Sequence, residues 1–177
     1  MPDNPVAAPG RDDDKLRERR LIFYSKDVDR IDKALSEFVT KSKSKCALLI
    51  DKEGHLVTKQ GETSSYDTDT ISALVAGSFA ATKEMAKILG EQEFSVLFHQ
   101  GQKDNIQLSL VGDRTLLTVI FDDRTTVGMV RLYANETSKK LSSLFTDIKS
   151  RSGEKQEQIS GDYGEQAKGK LDDFFGS

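Results

Sequence analysis

Cysteine is almost absent from this chain, and a single thiol, Cys46, excludes any intrachain disulfide framework. Its setting, Cys46-Ala47-Leu48-Leu49-Ile50, is an apolar run. Such a thiol reads as a small buried hydrophobe in a reducing compartment, not as a nucleophile, because burial keeps it protonated. Proline occurs only at Pro2, Pro5 and Pro9. No apolar stretch approaches the roughly 20 residues that a membrane span needs, and the first residues lack the hydrophobic segment of a signal peptide. Charge of one sign is not in excess: 26 basic and 29 acidic side chains leave a net charge of −3, without the basic face that nucleic acid requires. The two histidines, His55 and His99, are not paired as HxH or HExxH, so no metal site is expected. No GxxxxGK(S/T) loop is present, so the chain is not a P-loop nucleotide hydrolase. These absences point to a cytoplasmic binding module with no cofactor, no membrane insertion, no nucleic-acid partner and no catalysis of its own.

With 177 residues, one domain with tails is expected. Residues 1–20 read as a disordered arm, because charge dominates and large apolar residues are few. Residues 21–150 form the domain. Residues 151–177 read as a flexible linker followed by an amphipathic segment. Within the domain, Val28, Ile31, Leu35, Phe38 and Val39 recur at helical spacing after a plausible N-cap at Ser25. Cys46 to Ile50 is a strand covered on both faces. Asp51-Lys52-Glu53-Gly54 is a turn, and His55 to Gln60 returns as a more polar edge strand. Asp67 or Thr68 caps a second helix that Gly90 stops near Leu89. Asn105 to Val111 alternates as a strand, Thr115 to Phe121 is a buried strand, and Val127 to Tyr133 is assigned as the fifth. Asn135 then caps a last helix with Leu141, Leu144, Phe145 and Ile148 on its apolar face. The order helix, two strands, helix, three strands, helix predicts an α/β (α+β) fold, one antiparallel sheet with helices on its faces.

The second helix carries the most information. Ile71, Leu74, Ser78, Met85 and Ile88 form a stripe expected to pack on the sheet, with Val75 and Leu89 beside it. The opposite face holds Ala73, Ala76, Gly77 and Ala80, then Lys83, Glu84 and Lys87. Alanine and glycine on an outward face allow another backbone to come close, although alanine is also the best helix former in its own right. A second surface is expected at Asn105, Ile106, Gln107, Leu108 and Ser109. If that strand lies at the sheet edge, it offers a template for pairing with a second copy, which gives a twofold dimer.

Leu48-Leu49-Ile50-Asp51-Lys52-Glu53-Gly54-His55-Leu56-Val57 resembles the first hairpin of the Roadblock/dynein light chain family. Leu74 to Ala81 resembles the central helix of its bacterial, MglB-type branch, which regulates gliding motility and polarity. Phe98-His99-Gln100-Gly101, Leu117 to Asp122 and Gly128 to Leu132 continue the pattern. The resemblance covers the chain from about Ile22 onward. It implies a five-stranded antiparallel sheet with a central helix on one face and terminal helices on the other. It further implies a homodimer with a sheet continuous across the twofold axis and paired central helices. It implies a GTP-bound, MglA-like Ras-like small GTPase as partner, one per dimer, and a cytoplasmic protein concentrated at a cell pole. The small residues of the second helix would then be the platform under the GTPase. Lys83 and Glu84 stand where the family often keeps small residues. Leu171, Phe174 and Phe175 fall on one helical face and resemble the acidic-aromatic ends of such proteins, which tether the GTPase at a second place.

Three functions remain open on the sequence: a GTPase-activating regulator, a Roadblock-type dimerisation scaffold without effect on hydrolysis, and a ligand-sensing domain. The third needs a pocket of convergent polar groups, for which the sequence has no signature. Arg114, Arg124 and Arg131 are the candidate arginine fingers, but turn and strand arginines are usually surface charges. The resemblance instead implies a partner that holds the GTPase's own switch residues in their active arrangement.

Overall fold

The computed structural model describes the backbone of residues 11–175 and the side chains of residues 27–151. Three helices and five strands follow in the order α1 (Arg11–Ser42), β1 (Cys46–Asp51), β2 (Leu56–Gly61), α2 (Thr68–Ile88), β3 (Val96–Gln100), β4 (Asn105–Val111), β5 (Thr115–Phe121) and α3 (Val127–Phe175). The strands make one sheet in the order β2-β1-β5-β4-β3. Every pairing in it is antiparallel.

The central strands explain the layering. Along β1, side chains point alternately to opposite faces. Ala47 and Leu49 join a core with Ile31, Leu35 and Phe38 of α1 and Val130, Ala134 and Leu141 of α3. Leu48 and Ile50 join a second core with Val75 and Phe79 of α2. The continuous apolar run of β1 is therefore covered on both sides, as the sequence requires. The sheet lies between α2 on one face and the α1–α3 pair on the other.

Local chemistry fixes the ends. Asp67 is the N-cap of α2, and its carboxylate accepts from the Thr70 N–H at 3.1 Å. Leu89 is the C-cap, followed by Gly90 at φ +80. In the β1–β2 turn, Asp51 accepts from the His55 N–H at 2.8 Å and lies 3.0 Å from His55 Nδ1. Gly54 adopts φ +96, and a Cβ there would lie 3.1 Å from Ala73 Cα. This turn presses on α2 more closely than a side chain would comfortably allow.

Three expectations are corrected by the elements themselves. Val127 to Tyr133 is not a strand. It begins α3, with the Thr126 hydroxyl accepting from Met129 N–H and the Thr126 carbonyl from Val130 N–H at the helix start. Val130, Ala134, Thr137 and Leu141 are buried at helical spacing, and Asn135 lies exposed inside the helix rather than at its cap. The fifth strand is instead Val96–Gln100, a segment whose short, half-polar pattern suits a sheet edge. Ser25 is not an N-cap, because α1 starts at Arg11. Helix also runs through 11–20 and 151–164, where the sequence reads as arm and linker. Charged Arg, Lys and Glu are good helix formers without being core formers.

Candidate functional site

The strand carrying Asn105, Ile106, Gln107, Leu108 and Ser109 is not an edge, which is a fourth correction. It is β4, flanked by β3 and β5. Val96–Gln100 pairs along its outer side and takes the edge position. Its alternation is real but separates two cores. Leu108 packs under α2 with Ile106 and Leu110 beside it, while Gln107 and Ser109 are buried on the other face, the Gln107 amide donating to Ser109 Oγ at 3.3 Å. The true edges are β2 and β3.

The faces of α2 also differ from expectation. The buried side is Thr68, Ser72, Val75, Ala76, Phe79 and Ala86. Of the stripe expected to pack on the sheet, Ile71 does so, with Val75 beside it, but the rest looks outward: Leu74 is 66% exposed and Ile88 86%, with Met85 and Leu89 also exposed. Small Ser72 and Ala86 let the helix sit low on the sheet, and Phe79 fills the gap. Ala76 belongs to this buried side, next to the Gly54 turn, so it drops out of the outward set. Ala73, Gly77 and Ala80 remain exposed, and a Cβ at Gly77 would meet nothing within 4 Å.

Charged residues follow at the C-terminal half. Glu84 and Lys87 are exposed and pair at 2.8 Å, which holds the Glu84 carboxyl below its ordinary range. Lys83 is half-buried, 3.9 Å from Glu93, which Lys52 approaches at 3.5 Å. Lys52 also lies over the Phe79 ring. Lys83 is thus drawn back toward the β1–β2 turn rather than projecting freely.

Two outward strips result. Ala73 lies beside the β1–β2 turn. Leu74 is one residue, about 100°, further round the helix, on the side toward β4 and β3. There, Leu97, Ile106 and Leu110 are only half-buried, and Val96 of the edge strand is exposed. The apolar strip Leu74, Met85, Ile88 and the β3 edge therefore belong to one side of the molecule. Along α2, Leu74, Ser78, Ala81, Met85 and Ile88 follow a 4-3-4-3 spacing, the spacing of a helix–helix seam.

A family model described as Roadblock/LC7 domain matches residues 30–121. The chain belongs to the Roadblock/LC7 domain family. Among solved structures, MglB of Myxococcus xanthus is 37% identical with a TM-score of 0.65, covering 67% of this chain and 96% of that one. The gliding protein MglB of Thermus thermophilus is 31% identical with a TM-score of 0.63, covering 66% of this chain and 88% of that one. A third, described as MglB with tetrameric arrangement, is 28% identical with a TM-score of 0.65 and covers 68% and 90%. A comparison with curated protein sequences returns no match. This Roadblock domain is thus of the MglB type, and its five-stranded sheet with three helices is the family's architecture.

The remaining candidates are spread over this Roadblock domain. Arg124 is held by Glu62 at 3.1 and 3.3 Å and by Asp122 at 3.0 Å, which raises its pKa and lowers those of both carboxyls. Arg114 lies exposed in the β4–β5 turn, and Arg131 is exposed on α3, across the sheet from α2. Burial pushes the Cys46 thiol up to about 11, which keeps it protonated and unreactive. His55 lies in the β1–β2 turn and His99 on β3. Among the described residues, no helix is long and apolar enough to cross a membrane. The side chains of Leu171, Phe174 and Phe175 lie outside the described residues.

Proposed function

We propose that the chain is a homodimeric regulator, of GTPase-activating type, of an MglA-like Ras-like small GTPase that controls cell polarity and motility. One observation carries the reading: α2 exposes a large apolar strip and, beside it, a strip of bare backbone, and neither is covered by its own described residues. The two strips have different uses. Leu74, Met85 and Ile88, with the β3 edge, join a second copy, so that β3 pairs with β3 and α2 lies against α2. This replaces the β4 edge as the dimer surface. Ala73, Gly77 and Ala80 then form, together with their twofold mates, a low platform for the GTPase, flanked by Glu84 and Lys87. Likeness to MglB structures at 37% and 31% identity supports this assignment.

A platform without a reactive group works by positioning. Phosphoryl transfer needs little from a protein beyond placement and charge stabilisation. The dimer holds the GTPase's switch residues in the active arrangement and donates no side chain of its own. Arg124 is already engaged by two carboxylates, and Arg131 is across the sheet from the platform. The segment with Leu171, Phe174 and Phe175 adds a weak second contact to the GTPase.

Single-turnover GTP hydrolysis by Ras-like GTPases, with and without this protein, tests the reading. Stimulation should be lost in Ala80→Arg with an unchanged circular dichroism spectrum. Arg114→Ala, Arg124→Ala and Arg131→Ala should each keep most of it. A loss of about a thousandfold in any one, the scale of an arginine finger, would overturn the positioning mechanism. Binding of the GTPase without stimulation would instead leave a Roadblock scaffold.

A further inference from the structure

On the face away from α2, α1 and α3 run antiparallel. Arg30 meets Asp147 at 3.1 Å and Asp27 meets Arg151 at 2.8 Å. Between these helices lies an open groove of about 460 Å³. Ala34 and Leu144 supply apolar surface, and Arg30, Lys33 and Lys140 line it with charge, against a single acid, Glu37. Past Glu37 a smaller hollow of about 210 Å³ continues toward Thr40 and Lys41. Arg30 is engaged by Asp147 and Asp27, and Lys140 lies 3.5 Å from Glu136. Lys33 and Lys41 have no ion pair among the described residues, so the groove keeps positive charge to offer.

The same chain carries a segment of matching chemistry. Leu171, Phe174 and Phe175 stand at i, i+3 and i+4, and Asp172 and Asp173 lie between them. Its direction decides which groove it can use. α3 is continuous from Val127 to Phe175, and Leu171 is 27 residues beyond Leu144, about 40 Å along the axis at 1.5 Å per residue. A chain with α3 intact cannot bring its end back to its own groove, but a second copy can present it.

We propose that the α1–α3 groove receives the segment Leu171–Phe175 of another copy, with the apolar side chains over Ala34 and Leu144 and the two aspartates facing Lys33 and Lys140. This contact lies on the opposite side of the sheet from the α2 surface, so it links dimers rather than forming them. It shares its ligand with the GTPase tether given above. A bound GTPase therefore competes for the tail and releases one dimer from the next.

The test needs no GTPase, so its outcome is separate from that of the proposed function. The receptor is the full chain carrying Phe174→Ser and Phe175→Ser, which leaves its grooves empty of competing tails. The probe is a labelled peptide of residues 164–177, followed by fluorescence anisotropy. Saturable binding is expected, weakened at least tenfold in Lys33→Glu/Lys140→Glu and in Ser143→Trp, which fills the groove from its own lining, and weakened by added salt. Sedimentation velocity of the unaltered chain should show concentration-dependent assembly beyond the dimer that Lys33→Glu/Lys140→Glu removes, with an unchanged melting temperature. Absence of saturable binding, or equal binding to the groove variants, overturns the proposal.

Discussion

Gly61 ends β2 at φ +94, and a Cβ there would lie 2.5 Å from the Lys45 carbonyl oxygen. Gly61→Ala should therefore destabilise the domain by about 1–3 kcal/mol, as overpacking and backbone strain do, measured by urea unfolding. Gly77 is the opposite case, sitting in mid-helix with open space around it. There, Gly77→Ala should stabilise by about 0.5–1 kcal/mol, because glycine is a poor helix residue. Retention of that costlier residue fits a backbone that must stay approachable, so the same variant should lose GTPase affinity while it gains stability. Higher stability with unchanged affinity would leave Gly77 without a role at the surface. Asp67 supplies a pH signature of the same helix. Its carboxylate accepts from the Thr70 hydroxyl at 2.7 Å and the Thr70 N–H at 3.1 Å, which lowers its pKa. A depressed folded pKa gives stability that is complete above the unfolded value of about 3.9 and is lost as pH falls through the folded one. Asp67→Asn keeps a cap but does not titrate. Its melting temperature should fall less steeply than that of the parent below about pH 4, and parallel curves would show that this cap contributes nothing to acid sensitivity.

At the scale of elements, what could be read from the residues depended on whether an element's large apolar side chains meet their own domain. α1 was legible because Ile31, Leu35 and Phe38 are all buried. β1, the Gly54 turn, β5, the capped α2 and the Leu141–Ile148 face of α3 were legible for similar local reasons. The inward side of α2 was not. Its wheel carries two adjacent apolar strips, and the bulkier one, Leu74, Met85 and Ile88, is the exposed one. Periodicity registers that a strip exists, not which surface it meets, and a strip reserved for a second chain looks like core. The fifth strand failed for a related reason. Val127, Val130 and Tyr133 are β-branched or aromatic and favour a strand locally, whereas Thr126 capping and the burial of Val130, Ala134 and Leu141 impose a helix. With α2 turned the right way, its sides respond differently to mutation. Phe79→Ala, on the buried side, should cost about 3–5 kcal/mol of stability in urea unfolding. Leu74→Glu with Met85→Glu should leave the melting curve of the subunit nearly unchanged and convert the dimer to a monomer in light scattering. A dimer that survives both charges would remove α2 from the interface.

At the scale of the molecule, the sheet divides the work. The α1–α3 side closes one core with Phe38, Phe121 and Leu141, while the α2 side keeps an apolar strip and the β3 edge open on one flank and a bare strip toward the β1–β2 turn. In the proposed dimer the sheet edge would be satisfied by a second copy, because the unpaired N–H and C=O groups of β3 match those of a twofold mate. In the proposed dimer Gly77, about 60° round the helix from Leu74, would lie beside the seam, so that a single guest resting there would touch both chains. That guest occupies the space its symmetry mate would need. The expected stoichiometry is thus one GTPase per two chains, read by isothermal titration with the GTPase locked by a non-hydrolysable GTP analogue. Stimulation of hydrolysis should saturate at the same ratio. The monomeric Leu74→Glu/Met85→Glu chain should neither bind tightly nor stimulate, since half a platform offers half the contact and no fixed geometry for the switch segments. A ratio of one GTPase per chain, with activity preserved in that monomer, would mean that each subunit presents a complete site. The twofold platform would then have to be abandoned, even if GTPase activation itself were confirmed.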